Sequence, residues 1–323
     1  MHIIATLGPG SKNRIEEIME AGATAFRINC SHSTLEEISF WLVELERAYR
    51  KATAALPVWL DLQGAKMRIG KLRKPEVIRK NDVITFTNSF GQVDDEIPVP
   101  HPAVFGRVKT DDEIFLNDGK IILKIIETQD DMFRAKALTN GELSSFKGFK
   151  KDGLEAEMRE PFQRDLAFIE HTNGVDYVGY AVSFVQSAAE INLIRRYTAD
   201  RPVAAKIERS KAFDNLIDIA DVSDSMWLCR GDLGVEANVY NLFHFEKKFI
   251  QVLELVNKPL IIAGQVLENM VSHPYPSRSE ISHLGYLMEN GYTGLVLSDE
   301  TAVGKYPVEA VEFCSDYFEY VTR

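Results

Sequence analysis

Two short stretches concentrate the chemistry, Lys206-Ile207-Glu208 and Arg230-Gly231-Asp232-Leu233-Gly234. Each follows an apolar run, 202–207 and 225–228, that reads as a buried parallel strand. Each strand therefore ends in charge. A cation and two carboxylates at the exits of adjacent parallel strands face one another across a cleft, which suits a hard divalent ion above an anionic substrate. Mg2+ or Mn2+ fits that description. Magnesium takes one or two protein carboxylates and leaves its other positions to water and substrate oxygens. Glu208 and Asp232 match that number, and Lys206 can offset negative charge developing in the substrate. The competing reading of these residues alone is a surface ion pair and a solvated turn, because charge at strand ends is common.

The elements that must position them are short strands alternating with helices. The runs 2–7, 24–28, 58–62, 176–180, 202–207, 225–228, 259–262 and 293–297 read as strands, with amphipathic helices between them. Ser11 is the expected cap of the first helix, and Leu35, Ile38, Leu42 and Leu45 form the apolar face of the second. That alternation predicts an α/β protein of the (β/α)8 TIM-barrel kind, with an open doubly wound sheet as the alternative. Between 71 and 155 the texture changes to short β-prone runs separated by Asn117-Asp118-Gly119 and Asn140-Gly141, the mark of hairpins. The expected division is a barrel from 1–70 and 156–323 with an inserted all-β lid at 71–155.

With 323 residues the chain can hold a barrel of ~250 residues and an insertion. Hydrophobic content of 45% and charged content of 26% are those of a folded globular protein. A net charge of −11 supplies no field for a polyphosphate backbone, so no nucleic acid is expected as a partner. Cys30, Cys229 and Cys314 are too few and too far apart for a disulfide framework, which fits a cytoplasmic protein. No apolar stretch approaches ~18 residues, so no membrane span is expected. His2, His101, His171, His244, His273 and His283 lack metal-ligand spacing. Trp41, Trp59 and Trp227 lie in apolar runs and read as core. The Arg-Gly-Asp tripeptide, at a buried strand exit, does not read as an adhesion motif.

Taken in order, the motifs resemble the pyruvate kinase family. They are Thr6 to Ser11, Arg27 to His32, Asp61 to Gly70, Asn117 to Ile121, Lys147-Gly148, Ser183-Phe184-Val185, Ala205 to Glu208, Arg230 to Glu236, Pro276 to Glu280 and Leu297 to Ala302. The resemblance implies a barrel with a β-barrel lid inserted after the third strand, and phosphate transfer from phosphoenolpyruvate to ADP giving pyruvate and ATP. It also implies that the family's C-terminal regulatory domain is absent, and a homo-oligomer is compatible with it. By the same resemblance Glu208 and Asp232 would hold the divalent ion, and Lys206 would stabilise the phosphoryl group and the enolate. Amides near Gly231 and Asp232 would receive the substrate carboxylate, and Arg27 supported by Arg68 would clamp the phosphoryl oxygens. Pro9, Asn29, His32 and Lys147 would lie on the nucleotide side, with Asp118 on the lid.

The departures from the family carry equal information. Its seventh strand exits in Ala-Thr-Gln, with the threonine in the network that protonates the enolate, whereas this chain has Ala263-Gly264-Gln265. Glycine has no hydroxyl, so water or Ser282 would have to complete the relay. Asn29, Ser31 and Asp61 match potassium ligands, but Lys66 stands where potassium-dependent members carry glutamate, which implies activity without K+. Leu62-Gln63 and Lys150-Lys151-Asp152 also depart from the usual pattern. Two alternatives stay open: a metal-dependent lyase acting on pyruvate or oxaloacetate, and a catalytically impaired paralogue that binds phosphoenolpyruvate or nucleotide.

Overall fold

The computed structural model describes every residue except 32, 53, 90, 118, 152, 155–157, 159, 160, 237, 238, 254 and 323. Two units divide the chain, one of residues 1–64 and 158–323 and one of residues 65–157.

The larger unit is a closed barrel of eight parallel strands. In chain order they are β1 (His2–Thr6), β2 (Ala25–Asn29), β3 (Val58–Leu62), β4 (Val178–Val182), β5 (Val203–Ile207), β6 (Ser225–Cys229), β7 (Leu260–Ala263) and β8 (Gly294–Leu297). Each pairs with its sequence neighbours, and β1 closes the ring on β8 with Ile3 opposite Leu295. All eight strands feed one internal cluster. Ile4, Ala25, Ala181, Ala204, Trp227, Ile261 and Val296 fill it, with Trp59 packed against them. Two indoles among alanines fill the lumen, their rings edge to face at 5.5 Å. Trp41 is buried in the helix Leu35–Tyr49, as expected of core.

Local differences from expectation have simple causes. Ser11 does not cap the first helix, which spans Ile15–Glu20. Its hydroxyl instead accepts from the Gly8 N–H at 2.9 Å and donates to the Gly8 carbonyl, closing the loop after β1. The second helix starts with a capping box on Thr34 and Glu37, and Leu35 in its first turn is exposed while Trp41 takes its place in the core. The Arg-Gly-Asp segment is not a turn but the start of a helix, Arg230–Glu236.

The smaller unit is mostly β rather than all-β, since one short helix, Pro102–Phe105, follows strand Ile97–Pro98. Its six-stranded sheet runs, in spatial order, Phe149–Lys151, Glu113–Leu116, Ile121–Thr128, Met132–Ala137, Val83–Thr87 and Ile97–Pro98. Its own core includes Phe86 stacked on Phe133 at 4.8 Å. Strands Glu113–Leu116 and Ile121–Thr128 pair antiparallel as the expected hairpin, with Asn117 at φ 51° and Gly119 at φ 81° beside them. Asn140-Gly141 is not a hairpin apex, because strand Gly141–Leu143 leaves the sheet to pair with Glu76–Ile78. Residues 67–69 pair with 147–149, through Ile69 N–H to the Lys147 carbonyl and Phe149 N–H to the Met67 carbonyl, so this unit starts before residue 71.

Candidate active site

Side chains alternate along a strand, so the residue two positions beyond each lumen residue points into the same interior, one layer nearer the carboxyl end. Counting on from Ile4, Ala25, Trp59, Ala181 and Ala204 gives Thr6, Arg27, Asp61, Ser183 and Lys206. Period-two geometry thus stacks a polar layer on an apolar one.

That layer is bonded throughout. The Lys206 ammonium donates to Asp61 Oδ1 at 2.9 Å, to Asp61 Oδ2 at 3.0 Å and to Ser183 Oγ at 2.9 Å, and lies 3.0 Å from Glu208 Oε1. Ser183 Oγ donates in turn to Asp61 Oδ1 at 3.0 Å. On the other side, Arg27 Nε donates to Asp61 Oδ2 at 2.7 Å with Nη2 at 2.5 Å, and Arg27 Nη1 donates to Thr6 Oγ1 at 3.0 Å. Thr6 is held by Thr301, whose hydroxyl accepts the Thr6 N–H at 2.8 Å. Two cations and two carboxylates therefore compensate one another in a buried cluster.

The electrostatic consequences follow from that enclosure. Burial would raise the Asp61 carboxyl, but Lys206 and Arg27 together bring it down to about 2. Burial would likewise lower Lys206, and the adjacent Asp61 and Glu208 reverse this, so the amine stays protonated. Arg27 is raised for the same reason: burial opposes the charge and Asp61 outweighs it. Cys30 and Cys229 are buried, and desolvation pushes both thiols well above their ordinary value, which leaves them inert small hydrophobes.

Glu208 lies just past β5 and is buried. Its Oε2 accepts the Phe184 N–H at 2.8 Å, an amide turned inward because Phe184 sits at φ 61°. Asp232, half-buried, stands in the first turn of the helix after β6, the strand next to β5. Gly231 and Asp232 thus both lie in the first turn of that helix. Gly264 follows β7 at φ +91°, and a Cβ built there would come within 3.1 Å of the Gly231 nitrogen. Arg230 fixes this approach by donating from Nε and Nη2 to the Gly264 carbonyl at 3.0 and 2.8 Å, and from Nη2 to the Gln265 carbonyl at 2.9 Å. Arg230 is held from behind by Glu246 at 3.5 Å and His283 at 3.2 Å.

The remaining expected residues are placed as follows. Asn29 ends β2, and its Oδ1 accepts the N–H of buried Ser31 at 3.1 Å. Pro9 is exposed in the loop after β1. Ser282 is exposed on the helix Arg278–Glu289, and the residue of that helix bonded to the Gly264 network is His283. Lys66, Arg68 and Lys147 belong to the smaller unit. There the Arg68 N–H donates to His101 Nε2 at 3.1 Å and its guanidinium to the Phe146 carbonyl at 2.7 Å. His32 and Asp118 lie outside the described residues. Ser183, Thr6 and Thr301 had no assigned role from sequence, although the two-residue step from each lumen residue would have found Thr6 and Ser183.

Comparison with known proteins gives a consistent picture. The family model described as "Pyruvate kinase, barrel domain" matches residues 1–311. A pyruvate kinase of Thermococcus litoralis is 36% identical over 96% of this chain and 67% of its own length. One of Thermotoga maritima is 31% identical over 97% and 69%. The crystal structure of pyruvate kinase from Pyrobaculum aerophilum superposes with a TM-score of 0.86 at 27% identity, covering 99% of this chain and 73% of that one.

Proposed function

Because the chain belongs to the pyruvate kinase family, we propose that it transfers a phosphoryl group from phosphoenolpyruvate to ADP, giving pyruvate and ATP. The observation that carries this reading is the Lys206 ammonium held between Asp61, Ser183 and Glu208, with Arg27 on the far side of the same carboxylate. In the reaction the bond between phosphorus and the enol oxygen breaks, its electron pair stays on oxygen, and the phosphoryl group passes to a terminal ADP oxygen. Negative charge grows on the enolate and spreads over the phosphoryl oxygens, so a fixed cation is the group the step requires. Lys206 is fixed without reorganisation, because its acceptors come from three adjoining strand ends. Arg27 supplies the second cation, and the Gly231 and Asp232 amides receive the substrate carboxylate.

The donor set suits a hard divalent ion. Glu208 and Asp232 are oxygen donors at the exits of neighbouring strands, and among the described residues no cluster of three or more His, Cys, Asp or Glu side chains offers a self-sufficient metal cage. Two carboxylates with substrate oxygens completing the shell is the arrangement magnesium favours. A bound Mg2+ or Mn2+ would neutralise the substrate's phosphate and carboxylate oxygens as a Lewis acid. Potassium independence has its own support, since both oxygens of Asp61 already face internal cations, Lys206 and Arg27.

Gly264 favours a second reading, a paralogue that binds these ligands and turns over poorly. Its missing hydroxyl breaks a proton relay to the enolate. A coupled assay with phosphoenolpyruvate, ADP and Mg2+, run with and without K+ and beside oxaloacetate decarboxylation, separates the readings. We expect pyruvate formation that needs ADP and Mg2+ and is unchanged by K+. Pyruvate from oxaloacetate without ADP would replace the kinase reading with a lyase, and no turnover with retained ligand binding would establish the impaired paralogue.

A further inference from the structure

The main chain leaves the barrel at Gly64 and comes back to it at Met158, and buried carboxylates that take no part in the reaction hold both points. Asp165, fully buried on the helix Gln163–Thr172, accepts the Gln63 N–H and the Gly64 N–H, one on each oxygen, both at 3.0 Å. Glu190, buried on the next helix, Ala188–Arg195, accepts the Met158 N–H at 3.1 Å and the Gln186 N–H at 2.6 Å, again one on each oxygen. A charged acceptor buried against two backbone donors makes strong hydrogen bonds, and leaving those donors unpaired is costly. Surface carboxylates would not be placed this way.

Both grips converge on the loop after β4. Gly64, at φ +58°, packs so closely there that a Cβ would fall 2.0 Å from the Ser183 carbonyl oxygen. Gln186, held by Glu190, ends the same loop. Between them Ser183 bonds Lys206 and Asp61, and Phe184 bonds Glu208. Asp165 thus fixes the peptide packed on Ser183 from one side, and Glu190 fixes the loop from the other.

We propose that Asp165 and Glu190 are a pair of positioning residues that lock the two chain crossings onto the 183–186 loop, and through Ser183 set the place of the Lys206 ammonium. Neither touches reactants. The kinetic part rests on the phosphotransfer reading given above, and the structural part does not. The test uses Asp165→Asn and Glu190→Gln in the full chain, which keep shape but replace one accepting oxygen with an NH2 group that cannot accept. Hydrogen exchange read by mass spectrometry should accelerate about tenfold or more in peptides containing Gln63 and Gly64 for D165N, and in those containing Met158 and Gln186 for E190Q. Peptides from the helix Pro307–Thr322 should exchange as in the wild type. Turnover should fall at least tenfold at saturating substrate and Mg2+ while KM for phosphoenolpyruvate moves less than threefold, since the lysine is displaced while Arg27 and the Gly231 and Asp232 amides, which other elements hold, are not. Unchanged local exchange in both variants would overturn the proposal, as would accelerated exchange with unaltered turnover. If the wild type lacks turnover, the exchange arm alone decides the locking, and the failure then belongs to the functional reading.

Discussion

At the scale of single residues, Asp61 is the group on which the others depend. It carries the charge that holds both Lys206 and Arg27, and its carboxyl is brought down to about 2 from an ordinary 3.8. A folded-state value below the unfolded one means that the stabilisation is fully present above about pH 4 and is lost as pH falls through about 2. The shift corresponds to roughly 2 kcal/mol. Urea unfolding between pH 2 and 5 should show this slope, and Asp61→Asn should flatten it. At neutral pH the same variant should lose about 3–5 kcal/mol, because it strands two buried cations. Asp165 behaves oppositely. Burial pushes its carboxyl up to about 6 despite the Gln63 and Gly64 amides, so the fold gains an added stability from its protonated form below about pH 4 that is lost as pH rises through about 6, while the two amide bonds persist. Lys206→Arg should not rescue function, since a planar fork cannot meet acceptors arranged around a point charge, and turnover should drop about 100-fold or more.

At the scale of elements, the loop after β7 carries its own prediction. Gly264 is left-handed, and Arg230 pins its carbonyl. Gly264→Ala should therefore cost about 1–2 kcal/mol of stability, read as a lower urea midpoint with an unchanged slope. Its new methyl would crowd the Gly231 amide at 3.1 Å, so KM for phosphoenolpyruvate should rise more than turnover falls. Introducing the family's threonine meets the same obstacle, which makes it a poor test of the missing hydroxyl. Legibility also differed by element. The strands were readable because a buried parallel strand is a short continuous apolar run, and β5 is VAAKI with only its lysine polar. The helix Arg230–Glu236 was not, because Gly231 and Gly234 are poor helix formers and the segment read only as charge at a strand exit, with a solvated turn as the competing reading. What overrides propensity there is tertiary: buried Leu233 and the anchored Arg230.

At the scale of the molecule, alternating strands and helices made the barrel legible from sequence, and a shift to hairpin texture made the insertion legible. Lys206, Glu208 and Asp232 were legible as charge at strand exits. The hydrogen bonds that fix them were not, because Asp61 and Lys206 are 145 residues apart and only closure of the barrel brings them together. The barrel's central claim is that Glu208 and Asp232 grip one divalent ion beside that lysine. The most direct measurement is Mn2+ binding followed by electron paramagnetic resonance in the presence of phosphoenolpyruvate, on the wild type, Glu208→Gln and Asp232→Asn. The account predicts one bound ion in the wild type and affinity reduced about tenfold or more in each variant. Wild-type affinity retained in both variants would contradict it.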